Sequence, residues 1–333
     1  MKESRRAVAI LGAGSWGTAL AAVLARAEHE VRIWTVEPDV AADLRDRRRN
    51  TKYLPDVELP PGPVVHLDAG PVLDRAAFVV WALPVAVLRQ VALQVSSELP
   101  PGAVQVSLAK GLEKGTHLRP TQVVREVLPQ TRIAALLGPS HAEEVARGVP
   151  TTVAACSDDA DTARQVQALF HGERFRVYTN DDLAGSEYGT ALKNVIAVAA
   201  GISDGLGFGD NTKGALVTRG LAEMSRLGVA LGGRRETFFG LTGLGDLVTT
   251  AFSRWSRNRH VGEELGRGVP LPSILGSMTQ VAEGVPTSRV ALELARERNV
   301  EVPIIEQVTA VLFDQKSPRD ALLDLLARDP RRE

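Results

Sequence analysis

A chain of 333 residues with a formal net charge of −1 at pH 7 is long enough for about two domains with a sizeable core, and that balance points to neither nucleic acid nor a membrane surface as a partner. Cys156 is the only cysteine, which excludes an internal disulfide and a cysteine-rich metal site. The opening MKESRR has no apolar signal core and no apolar run is long enough to span a bilayer, so a cytoplasmic location is the default expectation. All but seven of the 39 cationic side chains are arginine. A lysine in an apolar or glycine-rich setting therefore stands out, because a buried lysine can give up its proton and an arginine cannot.

The run 8–11 is short and apolar, fit for a buried strand. Gly12, Gly14 and Gly17 follow as G-x-G-x-x-G, and a helical pattern begins at Thr18. The first glycine bends the turn, the second lets backbone approach a pyrophosphate, and the third lets helix pack close on strand. Free N–H groups at the helix N-terminus would hold the phosphates. A second strand is expected at 31–34. Glu37 follows it, where a dinucleotide fold places the acid that grips the ribose 2′-hydroxyl; Pro38 opens a helix there, and Glu37 serves equally as its cap. Arg47, Arg48 and Arg49 end that helix and read as a solvated face rather than a 2′-phosphate site.

Strands at 64–67, 78–83, 104–108 and 133–137, with helical stretches such as 85–99 between them, give the alternation of a parallel sheet covered on both faces. Lys110 stands just past the strand 104–108. The turn Gly138-Pro139-Ser140-His141-Ala142 stands just past 133–137, on the same carboxyl-end rim where such sheets bind ligands. A last strand pair at 151–155 and 175–179 flanks a helix at 158–170. From about Asp181 strands give way to helices.

The first of these, capped by Thr179 or Asn180, runs to about Leu206. It carries Tyr188, Leu192, Val195 and Ile196 on one face and Ser186, Gly189, Thr190, Lys193 and Ala197 on another. Lys193, a lone lysine among small residues, reads as buried and functional rather than snorkelling. A glycine-rich connection at 205–214, containing Lys213, leads to a helix at 215–227. Asp246 sits in a tight turn, as a helix cap or as the partner of Lys193. Ser256, Arg257 and Asn258 open a helix to Leu265, where guanidinium, hydroxyl and amide suit a phosphate; a salt-bridged surface helix is the bland alternative. Further helices follow 281–287 and cover 303–312. The expected architecture is α/β: an N-terminal Rossmann-type, mainly parallel sheet with helices on both faces over 1–180, then an all-α C-terminal domain over 181–333.

Seven segments in order, GAGSWGTALA, SLAKGLE, GPSHAEEVARGVPT, ALKNVIAVAAGISDGLGFGDNTKGAL, LTGLGDL, SRNRHVG and VAEGVPTS, resemble NAD(P)-dependent glycerol-3-phosphate dehydrogenase of the bacterial type across nearly the whole chain. The resemblance implies interconversion of sn-glycerol 3-phosphate and dihydroxyacetone phosphate by hydride transfer to or from NAD or NADP. It also implies supply of the glycerophospholipid backbone and a homodimer. Residue by residue, it places Ser15 and Trp16 on the cofactor beside the glycine loop. Lys110, Gly138 and Ser140 border both cofactor and substrate, and Ala142 touches the cofactor. Lys193 is the proton acceptor, with Lys110 as its charged neighbour and Asp246 orienting it. Asp246, Ser256, Arg257 and Asn258 bind substrate, Arg257 also reaching the cofactor, and Val281 and Glu283 complete the cofactor pocket. No metal is implied. The chain departs from the family in reading Thr35-Val36-Glu37 where many members carry His or Arg, and Leu83-Pro84-Val85 where many read V-P-S. The acid bears on the choice between NAD and NADP, because a carboxylate disfavours a 2′-phosphate. Two rival readings are a ketopantoate- or hydroxyacid-type reductase, which takes a carboxylate substrate, and a nucleotide-sensing regulator, which would lack Lys193 and Lys213.

Overall fold

The computed structural model describes residues 5–328, so the extreme N-terminus with Lys2 lies outside it. Among the described residues ten strands are present: β1 (Ala7–Leu11), β2 (Glu30–Trp34), β3 (Arg49–Asn50), β4 (Leu54–Glu58), β5 (Val64–His66), β6 (Phe78–Trp81), β7 (Val104–Ser107), β8 (Ile133–Leu137), β9 (Thr151–Cys156) and β10 (Phe175–Asn180). Eight of them form one sheet in the order β10-β9-β8-β7-β6-β1-β2-β5. Every pairing in it is parallel except β8 with β9.

Burial explains the sequence pattern. β6, β7 and β8 are buried along their whole length, as strands covered on both faces must be. Within β1, Val8 and Ile10 pack with Leu20, Leu24 and Phe170, while Ala9 and Leu11 pack with Trp81, Leu88 and Ala92; the two-residue period divides the strand between two apolar layers. The chain steps from β1 to β2 on one side and later returns to β6 on the other. That reversal opens a crevice at the carboxyl ends of β1 and β6.

The first helix begins at Ser15 rather than Thr18 and runs Ser15–Arg26. The helix Pro38–Arg47 stops before the end of the arginine run: Arg48 turns left-handed and Arg49 opens a separate hairpin, β3 with β4, which the sequence pattern did not suggest. Past β10 the described residues form helices only.

The helix Leu183–Gly205 is the core of this second half, with all but three of its 23 residues buried. Its cap is Asp182, whose Oδ1 accepts from Gly185 N at 2.8 Å, rather than Thr179 or Asn180. Those two residues belong to β10, which extends to Asn180. The next helix, Asp210–Ala230, starts before the expected 215 and takes the end of the glycine-rich stretch into its first turns. Against the central helix lies Arg257–Gly266, packed nearly backbone to backbone: a Cβ on Gly201 would stand 1.9 Å from the Arg259 carbonyl oxygen, and one on Gly262 2.0 Å from that of Val198. This contact fixes where Arg257 and Asn258 stand relative to Lys193 and Asn194.

Gly201→Ala should therefore force the two helices apart and cost about 1–3 kcal/mol. Gly214, also helical, has nothing within 4 Å of its Cβ position, so Gly214→Ala should gain about 0.5–1 kcal/mol. Urea unfolding of both variants checks the pair; a Gly201→Ala protein as stable as the parent would contradict the close contact.

Candidate active site

One pocket of about 630 Å³ lies in the crevice between the sheet and the helical half, within the usual range for small-molecule sites. Gly12, Gly14, Ser15, Trp16, Glu37 and Tyr53 line one end of it, and Lys110, Ser140, Lys193, Asp246, Ser256 and Arg257 the other. Ala142, Asn258, Val281 and Glu283 also reach it. Gly17 and Gly138 do not line it: Gly17 packs behind the glycine loop, and Gly138 lies behind Lys110.

The glycine end has the features of an anion site. Gly12 holds a φ of +110°, and its Cβ position is 2.5 Å from the Ala82 carbonyl oxygen, so only glycine turns the chain there. Gly17 approaches the Gly12 carbonyl oxygen, its Cβ position 2.2 Å away. Gly14 has nothing within 4 Å of its Cβ position. The helix Ser15–Arg26 begins with no side-chain cap and no acid in its first turn, leaving N–H groups and the positive end of its dipole aimed at the pocket. The Trp16 indole Nε1 is buried without a hydrogen-bond partner. These residues fit the pyrophosphate of a dinucleotide.

At the other end the central feature is a shared carboxylate. Lys193, on the central helix and 4 % exposed, donates from Nζ to Asp246 Oδ1 at 2.9 Å and to Thr250 Oγ1 at 2.5 Å. Lys110, past β7, donates to Asp246 Oδ2 at 2.9 Å and to the Gly138 carbonyl at 2.8 Å, with Ser140 Oγ at 3.4 Å. Asp246 is 1 % exposed and follows a five-residue π-type turn, Leu241–Gly245. Gly243 packs onto the Phe238 backbone there, and Gly189 of the central helix onto Thr242. Asp246 opens the helix Asp246–Phe252 but makes no capping bond with its side chain; the lysine-partner reading is the one the geometry matches.

Burial lowers the Lys193 amine to about 8, and the charges of Lys110 and Arg257 push the same way against the pull of Asp246. Burial also raises the Asp246 carboxyl, but the two ammonium groups outweigh it and hold the acid below its usual range. His141, beside them, is lowered to about 4 by burial and by the Lys193 charge, so it is neutral at ordinary pH.

The phosphate candidates separate cleanly. Ser256 caps the helix Arg257–Gly266, its Oγ accepting from Arg259 N at 3.1 Å. Arg259 is taken by Asp204 at 2.6 Å, an acid it shares with Lys213 at 2.7 Å. Lys213 packs over the Phe252 ring and does not line the pocket. Arg254 lies over Trp255. Arg257 lines the pocket and, among the described residues, its guanidinium has no hydrogen-bond or ion-pair partner. Asn258 accepts from Gly284 N at 2.8 Å and donates to Asn194 Oδ1 at 2.9 Å, and Asn194 in turn donates to the Lys110 carbonyl at 3.0 Å. Glu283 accepts from Val85 N at 3.1 Å, tying the helical half to the start of the helix Val85–Val95.

Sequence reading missed Thr250, Asn194, Tyr53 and Gln280. Thr250 lies one helical turn past Asp246 and Asn194 directly follows Lys193, so helical spacing could have found the first. Gln280, which accepts from Ser15 Oγ at 3.0 Å and donates to the Tyr53 carbonyl at 3.3 Å, left no local signal. Glu37 is not a cap by its side chain.

Comparison with known proteins agrees across the chain. Family profiles for the NAD-dependent glycerol-3-phosphate dehydrogenase N-terminus and C-terminus match residues 7–163 and 182–323. A glycerol-3-phosphate dehydrogenase using NAD(P)+ from Chlorobium limicola is 49 % identical over 329 residues, covering 98 % of this chain and 99 % of that one. The crystal structure of the Coxiella burnetii glycerol-3-phosphate dehydrogenase superposes with a TM-score of 0.93 at 38 % identity, covering 97 % of this chain and 99 % of that one. A ketopantoate reductase from Ralstonia eutropha, at 16 % identity and a TM-score of 0.62 over 95 % of this chain and 99 % of that one, shares the fold alone. The chain belongs to the NAD-dependent glycerol-3-phosphate dehydrogenase family and is an NAD(P)-dependent enzyme of that activity.

Gly14→Asp tests the glycine end. The new side chain meets open space and is a good helix cap, so stability should hold or rise by a few tenths of a kcal/mol. Its carboxylate would occupy the anion site, so binding of NADH, followed by fluorescence, should fall at least about 100-fold. Unchanged NADH affinity in the folded variant would place the dinucleotide elsewhere.

Proposed function

We propose that Lys193 is the proton-transfer group for oxidation and reduction at C2 of glycerol 3-phosphate, and that Arg257 holds the substrate phosphate. The observation that carries the reading is the pair of ammonium groups, Lys193 buried and Lys110 half-buried, on opposite oxygens of the buried Asp246, in the same pocket as the unpaired Arg257 guanidinium. A nicotinamide held in this pocket would supply the acceptor for the C2 hydride in oxidation and its source in reduction. In the oxidative direction neutral Lys193 Nζ accepts the C2 hydroxyl proton; in the reductive direction its ammonium gives that proton back. Lys110 donates to the C2 oxygen and stabilises the charge that develops there. Asp246 holds both amines in place, and Thr250 fixes the third direction around Lys193. The phosphate lies on Arg257 and the start of its helix, and its binding energy positions C2 for transfer. The glycine loop and the N-terminus of the helix Ser15–Arg26 would hold the pyrophosphate and Glu37, past β2, would face the adenosine ribose, so NADH should be used at least as well as NADPH.

The chain divides at about residue 180 into a dinucleotide-binding and a substrate-binding half. The glycerol 3-phosphate made would supply glycerophospholipid backbones, by a homodimer and in the cytoplasm; the first two readings rest on the family resemblance and the third on the default expectation from the sequence.

Four experiments test the roles. Because reduction needs protonated Lys193, kcat/KM for dihydroxyacetone phosphate should be flat below about 8 and fall above it, while the oxidative rate should rise through the same pH. Since the Asp246 charge raises the Lys193 value, Asp246→Asn should move both limbs to lower pH. Lys193→Arg, which keeps the charge without a usable proton, should lose at least about 100-fold in kcat; near-normal turnover would remove Lys193 from the chemistry. Arg257→Ala should lose about 2–4 kcal/mol in kcat/KM for dihydroxyacetone phosphate and far less for dihydroxyacetone, which has no phosphate to lose. Equal loss on both would assign Arg257 to the cofactor or the fold.

A further inference from the structure

Glu37 stands where a dinucleotide fold places its ribose acid, yet both its oxygens are engaged. Oε2 accepts from Lys52 Nζ at 3.0 Å and Oε1 from the Tyr53 hydroxyl at 2.8 Å. Both donors sit in the turn between β3 and β4, which is anchored to the glycine loop. Asn50, fully buried, donates to the Ala13 carbonyl at 2.6 Å and to Thr18 Oγ1 at 2.8 Å. Thr51 N donates to Asp43 at 2.7 Å. The turn is thus a fixed wall at this end of the pocket, and Glu37 and Tyr53 line it.

The neighbouring arginines are committed elsewhere. Arg47 pairs with Asp43, and Arg48 and Arg49 pair with Glu58. Lys52 is the cation that faces Glu37. It is partly exposed, with Asp39 at 3.9 Å as its only other acid among the described residues. Its long stem lets the ammonium swing while the backbone of the turn stays put.

We propose that Lys52 is the residue through which this chain admits the 2′-phosphate of NADPH, its ammonium passing from the Glu37 carboxylate to the phosphate, while Glu37 sets the limit on that preference. With a ribose 2′-hydroxyl, Glu37 is an acceptor already oriented by Lys52 and Tyr53. With a 2′-phosphate, the dianion competes for the same two donors and repels the acid that loses them. One turn therefore serves both cofactors, and NADPH binds only as well as Lys52 can be shared. The inference rests on the placement of the adenosine ribose proposed above.

The test is equilibrium binding of NADH and NADPH, by calorimetry and by quenching of protein fluorescence, on the full chain. Lys52→Met should weaken NADPH at least about tenfold and change NADH by less than about threefold. Lys52→Arg should keep NADPH binding, and Glu37→Gln, which frees the ammonium, should tighten NADPH about fivefold or more. A Lys52→Met protein, with the melting temperature of the parent, that weakens both cofactors alike or neither would overturn the inference. Gly14→Asp separates the two levels. If it abolishes binding of both cofactors while the Lys52 variants do not discriminate, the ribose placement stands and Lys52 is not the determinant. If it leaves binding intact, the placement itself fails and the inference with it.

Discussion

Two amines and one acid, with the acid and one amine buried and the other amine half-buried, set the terms for the rest of this molecule. A buried ammonium is costly unless it is paired and hydrogen-bonded, and here a single carboxylate serves two. Lys110 arrives from the sheet half, Lys193 from the middle of a helix buried almost all round, and Asp246 from the end of a π-type turn. No one element could hold all three. The close approach of Gly189 to Thr242 and of Gly243 to Phe238 brings the Asp246 turn within reach of the central helix, and the Gly138 carbonyl takes a further proton of Lys110. The site leaves one carboxylate charge against two ammonium charges. That surplus, with burial, lowers the Lys193 amine and suits the pocket to an anionic substrate.

The same economy of backbone contact couples the two halves. Asn194 donates to the Lys110 carbonyl, Glu283 accepts from the first N–H of the helix Val85–Val95, and Gln280 bridges Ser15 and the Tyr53 backbone. Arg119 and Thr121 meet Glu187 at the far side of the central helix. Glycine loop, hairpin and the lysine–aspartate end of the pocket are thereby held in one frame.

Much of this was legible in the chain. The glycine spacing worked because each position has a different steric demand: a positive φ at Gly12, open space at Gly14 and close packing at Gly17. Lys193 was visible because small neighbours on its helix face serve backbone contact, which leaves no room for a chance surface lysine. Other features had no such signature. Thr179 to Asp182 offers four polar residues able to cap a helix, and only the extension of β10 decides among them. A fully buried strand reads the same whether its neighbour runs parallel or antiparallel, so the reversal between β8 and β9 left no mark. The β3–β4 hairpin begins with two residues and no apolar period, and the partners of Glu37 come from it. Lys52 therefore looked like any exposed lysine until the fold set it against an acid.

The scarcity of lysine offers a direct test of the central claim, that Lys193 titrates near the working pH because of where it is buried. With only seven lysines in the chain, side-chain amines labelled with 15N and 13C can be followed singly by NMR through a pH titration. One signal should show a midpoint of about 8, far below the ordinary value of about 10.4, and should be missing from the Lys193→Arg spectrum. If every lysine signal in the folded protein titrates near the ordinary value, the buried, proton-exchanging amine does not exist and the account of the site is wrong.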